Sequence, residues 1–144
     1  MNSYYQVIAD IEEILKDEPF INSVTYGDPD VIETVKQADH PIAHVIPGQA
    51  QIADRVIILN ISIILMDIVD YVKEGPNNEQ DVLNTMLSVA ARFDAEIKRR
   101  GIYKDKYELQ GSINCEPFNE RFENNLAGWA LTFSMALKND ITSC

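Results

Sequence analysis

Apolar side chains recur with a period of two along residues 55–68, RVIILNISIILMDI. One register holds Ile57, Leu59, Ile61, Ile63 and Leu65; the other holds Val56, Ile58, Asn60, Ser62, Ile64, Met66 and Ile68, apolar at both ends and polar in the middle. β-Branched residues dominate and no Gly or Pro interrupts the run, which predicts a strand and not a helix. At about 3.3 Å per residue the run spans roughly 46 Å, more than twice a usual strand of about 17–20 Å. A strand that long is expected to project from its own domain or to be covered by a neighbouring subunit.

The same period appears from Gly128 to Leu137, with Trp129, Leu131, Phe133, Met135 and Leu137 on one side and Ala130, Thr132, Ser134 and Ala136 on the other. The bulky side is expected under helices. The small side, lacking the usual charged and solvated residues, reads as a face that another backbone or subunit approaches closely. Tyr107 to Phe118 alternates too, with Tyr107, Leu109, Gly111, Ile113 and Cys115 in one register. Shorter strands are expected at 21–26 and 41–46, the second flanked by Pro41.

Two segments follow the helical period. Over residues 3–17, Tyr4, Val7, Ile8, Ile11, Ile14 and Leu15 form one apolar stripe, and Asp10, Glu12, Glu13 and Lys16 lie off it. Ser3 and Gln6 have the spacing of a capping box, and Pro19 ends the helix. Over residues 81–100, Val82, Leu83, Met86, Leu87, Ala90, Phe93 and Ile97 form the buried face. Lys98, Arg99 and Arg100 suit its C-terminal dipole, and Gly101 gives a stop. Between elements, Gly27-Asp28-Pro29-Asp30 reads as a turn, 31–38 as a short helix or irregular connection, 71–80 as a loop and 116–126 as a polar linker. Pro47-Gly48 opens a loop through Asp54, so 41–68 forms a hairpin with the polar tip GQAQIAD. The pattern predicts one α+β domain over 1–144. Its antiparallel sheet has one very long strand in a hairpin, and two helices pack on one face.

A chain of 144 residues suits one such domain. Its N-terminus lacks the basic start and apolar core of a signal peptide, and the longest apolar run is too short to cross a membrane as a helix. A cytoplasmic setting is expected, and two cysteines, Cys115 and Cys144, make a disulfide framework an unlikely basis for the fold. Net charge is −11, concentrated as −8 in residues 1–54, with a basic cluster at Lys98, Arg99, Arg100, Lys104 and Lys106. That balance disfavours nucleic-acid binding, whose affinity comes mostly from phosphate neutralisation.

Chemical motifs are missing. The six glycines are scattered singly, so there is no phosphate loop; G-x-S-x-G and C-x-x-C are absent. Asp28 and Asp30 near Gly27 lack the remaining ligands of an EF-hand. Asp39, His40 and His44 look like metal ligands on paper, but in a strand His40 and His44 sit roughly 13 Å apart, too far for one zinc with bonds of about 2 Å. No catalytic residue, cofactor or metal is expected.

The order helix, strand, hairpin, loop, long helix and terminal β-pair resembles the tail terminator proteins of tailed bacteriophages, and more loosely their tail completion and minor tail relatives. The IILNISIILMDIVD strand, the QDVLNTMLSVAARF helix and the NNLAGWALTFSMAL strand carry the likeness. The resemblance implies a virion protein without enzymatic activity, located at the tail–neck junction and assembled in the host cytoplasm. Such proteins form a ring, commonly a hexamer, that ends growth of the tail tube and docks the head connector or stopper. Partners are then the chain itself, the tube protein and the connector, with no membrane and no sequence-specific nucleic acid. Expected interface residues are Gly48, Gln49, Gln51 and Asp54 at the hairpin tip and Lys98, Arg99, Arg100, Lys104 and Lys106. The alternatives are another head–tail connector component, a stopper or adaptor, or a cytoplasmic α+β ligand-binding or regulatory domain.

Overall fold

The chain is described from a computed structural model covering residues 3–27, 40–69, 78–104, 107–120 and 126–138. The elements are α1 (Ser3–Lys16), β1 (Ser23–Tyr26), β2 (Ile42–Ala53), β3 (Val56–Ile68), α2 (Glu79–Lys104), β4 (Tyr107–Glu120) and β5 (Leu126–Lys138). The expected turn after Gly27, the 31–38 segment, most of the 71–80 loop and Cys144 lie outside the described residues.

The five strands form one sheet in the order β1-β2-β3-β5-β4. It is mixed and not wholly antiparallel, because β1 runs parallel to β2, pairing Ser23 with Ile42 and Tyr26 with Val45. A parallel pair needs a crossover of about a dozen residues or more, and residues 27–41 supply it. The 13 residues of β3 do not make it the one long strand, since β2, β4 and β5 have 12, 14 and 13. Nor does β3 project. It is central, paired with β2 from Ala53↔Val56 to Ile42↔Met66 and with β5 from Val56↔Lys138 to Ile68↔Leu126. Two neighbouring strands satisfy its backbone, so no second subunit is needed for that.

The two registers of β3 behave as their chemistry demands. Ile57, Leu59, Ile61, Ile63 and Leu65 are buried, opposite Leu137, Met135, Phe133, Leu131 and Trp129. The two helices cover this face. Val7, Ile11 and Leu15 of α1 and Met86, Val89, Phe93 and Ile97 of α2 complete one core with it, and Phe93 meets Phe133 with ring centroids 5.7 Å apart. Trp129 is only half-buried and donates its indole N–H to the Leu83 carbonyl at 2.8 Å. On the opposite face Ile42, Met66 and Leu126 form a small buried cluster with Ile64 and Phe118 against it.

Several boundaries differ from the sequence reading for local reasons. Gly101 does not stop α2, which runs to Lys104. A Cβ there would lie 2.9 Å from the Tyr107 carbonyl, so this glycine permits close approach of the start of β4. Val89 joins the buried stripe, whereas Leu87 is 42% exposed. Gln6 donates to Asp10 at 3.1 Å, engaging the side chain that the capping box would use. Asp10 is itself buried, not on the solvent side. The expected linker from Glu116 is strand as far as Glu120, pairing with Leu126.

Candidate subunit interface

The hairpin tip is not a loop. β2 continues through Pro47 to Ala53, with a bulge between Pro47 and Ala50, and turns back at Asp54 and Arg55. Pro47 is tolerated because β1 has ended: its last partner is Val45, so β1 does not pair with β2 at Pro47. Gly48 is required where the bulge brings β2 against β3, since a Cβ would lie 2.8 Å from the Asn60 carbonyl. Arg55 takes φ 69°, the left-handed conformation that a tight reversal demands. The expected contact residues Gly48, Gln49, Gln51 and Asp54 are all exposed on this arm. Ile52, which was not among them, is 74% exposed. Its apolar surface within an otherwise polar tip was the available signal.

The basic cluster lies at the same end of the sheet, near the start of β4, and its described members are engaged within the chain. Lys98 pairs with Asp94 at 3.1 Å and Arg99 with Glu96 at 2.8 Å; the Arg99 hydrogen bond holds the Glu96 carboxyl below its ordinary range. Arg100 differs. Its side chain is only 15% exposed and reaches Glu13 at 3.3 Å, and Asp10 and Glu96 at 3.8 Å. Tyr107 donates to Asp10 at 2.6 Å. Burial first, and that hydrogen bond second, push the Tyr107 hydroxyl pKa well above its ordinary value. Arg100 therefore ties α2 to α1 and sits in the monomer's own packing. Lys106 and the Lys104 side chain lie outside the described residues.

The remaining chemistry is dispersed. His44 is fully buried, its Nδ1 2.6 Å from Thr25 Oγ1. β1 covers that side of β2, so His44 is not on an edge strand. His40 Nε2 is enclosed without a hydrogen-bond partner among the described residues, and Asp39 lies outside them. Among the described residues no three His, Cys, Asp or Glu side chains come together to hold a metal. No described helix is long and apolar enough to cross a membrane. The Cys115 thiol is pushed up by burial and by Asp94. A groove of about 620 Å³ between α1 and α2 is lined by Phe20, Arg92, Arg99 and Arg100, but Arg92 is already held by Glu18 at 2.7 Å.

No protein-family model matches this chain, and no curated protein matches it.

The open side of the sheet is the other distinctive surface. Val56, Ile58, Ser62 and Ile64 of β3 and Ala130, Ser134 and Ala136 of β5 are half-buried there, and Asn60 and Thr132 are exposed. Ser134 donates to Asn60 Oδ1 at 2.6 Å. None of these positions is charged. Where β4 bulges between Gln110 and Asn114, with Gly111 at φ 66°, a shallow depression of about 310 Å³ opens between β4 and the Asn60–Ser134 pair.

Proposed function

We propose that this chain is a structural virion protein of a tailed bacteriophage. Copies close into a ring, a hexamer in the expected form, that caps the head-proximal end of the tail tube and presents the docking surface for the head connector. The mechanism is geometric. A closed ring occupies the growing end of the tube with a surface unlike the one that tube subunits add to, and no bond is made or broken. The observation that carries the reading is the order of elements, in which a helix, a short strand, a β2–β3 hairpin, a long helix and a terminal β-pair build one mixed sheet with both helices on one side. The exposed hairpin arm supports it, because that arm contributes little to the subunit's own core. The α1–α2 groove gives little support to a ligand-binding domain, since its arginines are neutralised by neighbouring carboxylates.

The test is size and site of action. Light scattering coupled to gel filtration should give a species about six times the 16.3 kDa chain, and electron microscopy should show rings. Added to polymerising tube protein of the same virus, the protein should limit tube length and sit at one end. A stable monomer, or tubes of unaltered length, would overturn the reading.

A further inference from the structure

We infer that the β2 arm, Pro47–Ala53, seats on the open sheet face of a second copy of this chain. The inference rests on the ring reading for closure, but it commits to two particular surfaces.

The arm is unusual for this protein. Gly48 to Ala53 is exposed at every position and carries no charge, in a chain that is 24% charged. Exposed strand edges ordinarily carry charged side chains that prevent pairing with other molecules; here Ile52 stands 74% exposed instead. The receiving face has matching chemistry. From Ile58 to Ile64 on β3 and from Ala130 to Ala136 on β5, its outward side chains are small, apolar or neutral and polar. Copies with a net charge of −11 repel one another. Contact is least costly where neither surface has ions to desolvate; the arm and the β3–β5 strip meet that condition, with the Glu108 and Glu116 carboxylates of β4 standing beside the strip, opposite Ala136 and Ala130. Ala50 and Ile52 share one side of the arm and bring apolar area to Ile58 and Ala136, while Gln51 points to the arm's other side.

Edge-to-edge pairing along the outer edge of β4, last in the strand order, is obstructed. That edge is broken by the Gln110–Asn114 bulge and by Pro117, which pairs across to Trp129 and has no N–H to offer outward. The arm is therefore expected to land on a face. The sides also agree with a ring. Ile52 lies opposite Ile57, on the helix side of the sheet, whereas the receiving surface is on the other side. One copy can thus give its arm forward and receive an arm behind, a heterologous contact that repeats until it closes.

The test uses the full-length chain with Cys115→Ser and Cys144→Ser. Copies carrying Ile52→Cys are mixed with copies carrying Thr132→Cys and treated with a short bis-maleimide. Cross-linked pairs should form in the mixture and in neither variant alone. In the otherwise unaltered chain, Ile52→Glu and Thr132→Glu, both at exposed positions, should each remove the ring peak from gel filtration without lowering the melting temperature. Mixing Ile52→Lys copies with Thr132→Glu copies should restore association. Rings that persist without arm-to-face cross-links overturn this inference and leave the ring reading standing. Cross-links within the Ile52→Cys sample alone would mean an arm-to-arm contact and also overturn it. An Ile52→Glu ring that is intact but no longer binds tube would assign the arm to the tube, again against the inference. Arm-to-face cross-links with no effect on tubes would support the contact and remove the tail function. A wild-type monomer at all concentrations overturns both.

Discussion

Gly128→Ala is the sharpest single test of the sheet geometry. Gly128 pairs with Met66 at the β3–β5 seam, and an added Cβ would lie 1.8 Å from the Leu65 carbonyl oxygen and 2.9 Å from Met66 Cα. These are backbone atoms of the central strand, so no side chain can swing away. Separating them to ordinary contact moves β5 off β3 by more than an ångström at that pair. Overpacking alone costs about 1–3 kcal/mol, and each ladder hydrogen bond lost adds about 1 kcal/mol. The expected loss is about 3–4 kcal/mol, reported by urea unfolding followed through circular dichroism and the fluorescence of Trp129, the next residue. Gly111→Ala is the control. Among the described residues nothing lies within 4 Å of its added Cβ, and its φ of 66° opposes the change, so the cost should be about 1 kcal/mol. If Gly128→Ala lost less than Gly111→Ala, the close β3–β5 approach described here would be refuted.

Four further outcomes are expected. Tyr107→Phe removes a hydrogen bond to a buried carboxylate and should cost about 1.5–3 kcal/mol in urea unfolding; an unchanged midpoint would mean that Asp10 is satisfied without it. In the wild type the raised pKa values of Tyr107 and of Tyr4, the latter pushed up to about 12 by burial and the Tyr26 hydroxyl, mean that the folded state holds these protons more tightly. Their stabilisation is complete below the ordinary tyrosine value of about 10 and declines as pH rises past it, so melting temperatures measured from pH 9 to 12 should fall with more than the slope of the Tyr107→Phe variant. Arg100→Ala should lose about 2–3 kcal/mol, toward the range for breaking a mostly buried pair, while Arg99→Ala, on an exposed and solvent-screened pair, should leave the melting temperature nearly unchanged; equal effects in thermal melts would contradict the inward placement of Arg100. Arg55→Gly relieves a left-handed residue at the hairpin turn and should gain about 0.5–1 kcal/mol, with a loss of stability counting against the turn.

Period alone determined much of this protein. Five alternating apolar side chains on β3 and five on β5 can be buried together only if the strands pair and something apolar covers them, and the α1 and α2 stripes are the available cover. Strand and helix identities, the buried register and the uncharged opposite register therefore follow from local pattern. The arm does not follow, because Pro47 and Gly48 carry turn chemistry. Only the ending of β1 at Tyr26, a neighbour remote in sequence, leaves Pro47 an edge on which its missing N–H costs nothing. Gly101 likewise has the position of a helix stop, and its actual role depends on where Tyr107 returns. The basic cluster is legible as charge, but charge along a chain does not say which way a side chain turns. Asp10, set among the solvent-facing residues by its helical phase, is buried by α2 and β4, and with Glu13 it turns Arg100 inward. Those choices are made by contacts across the fold, where desolvating a carboxylate is tolerable only once Tyr107, Gln6 and Arg100 have been brought to it.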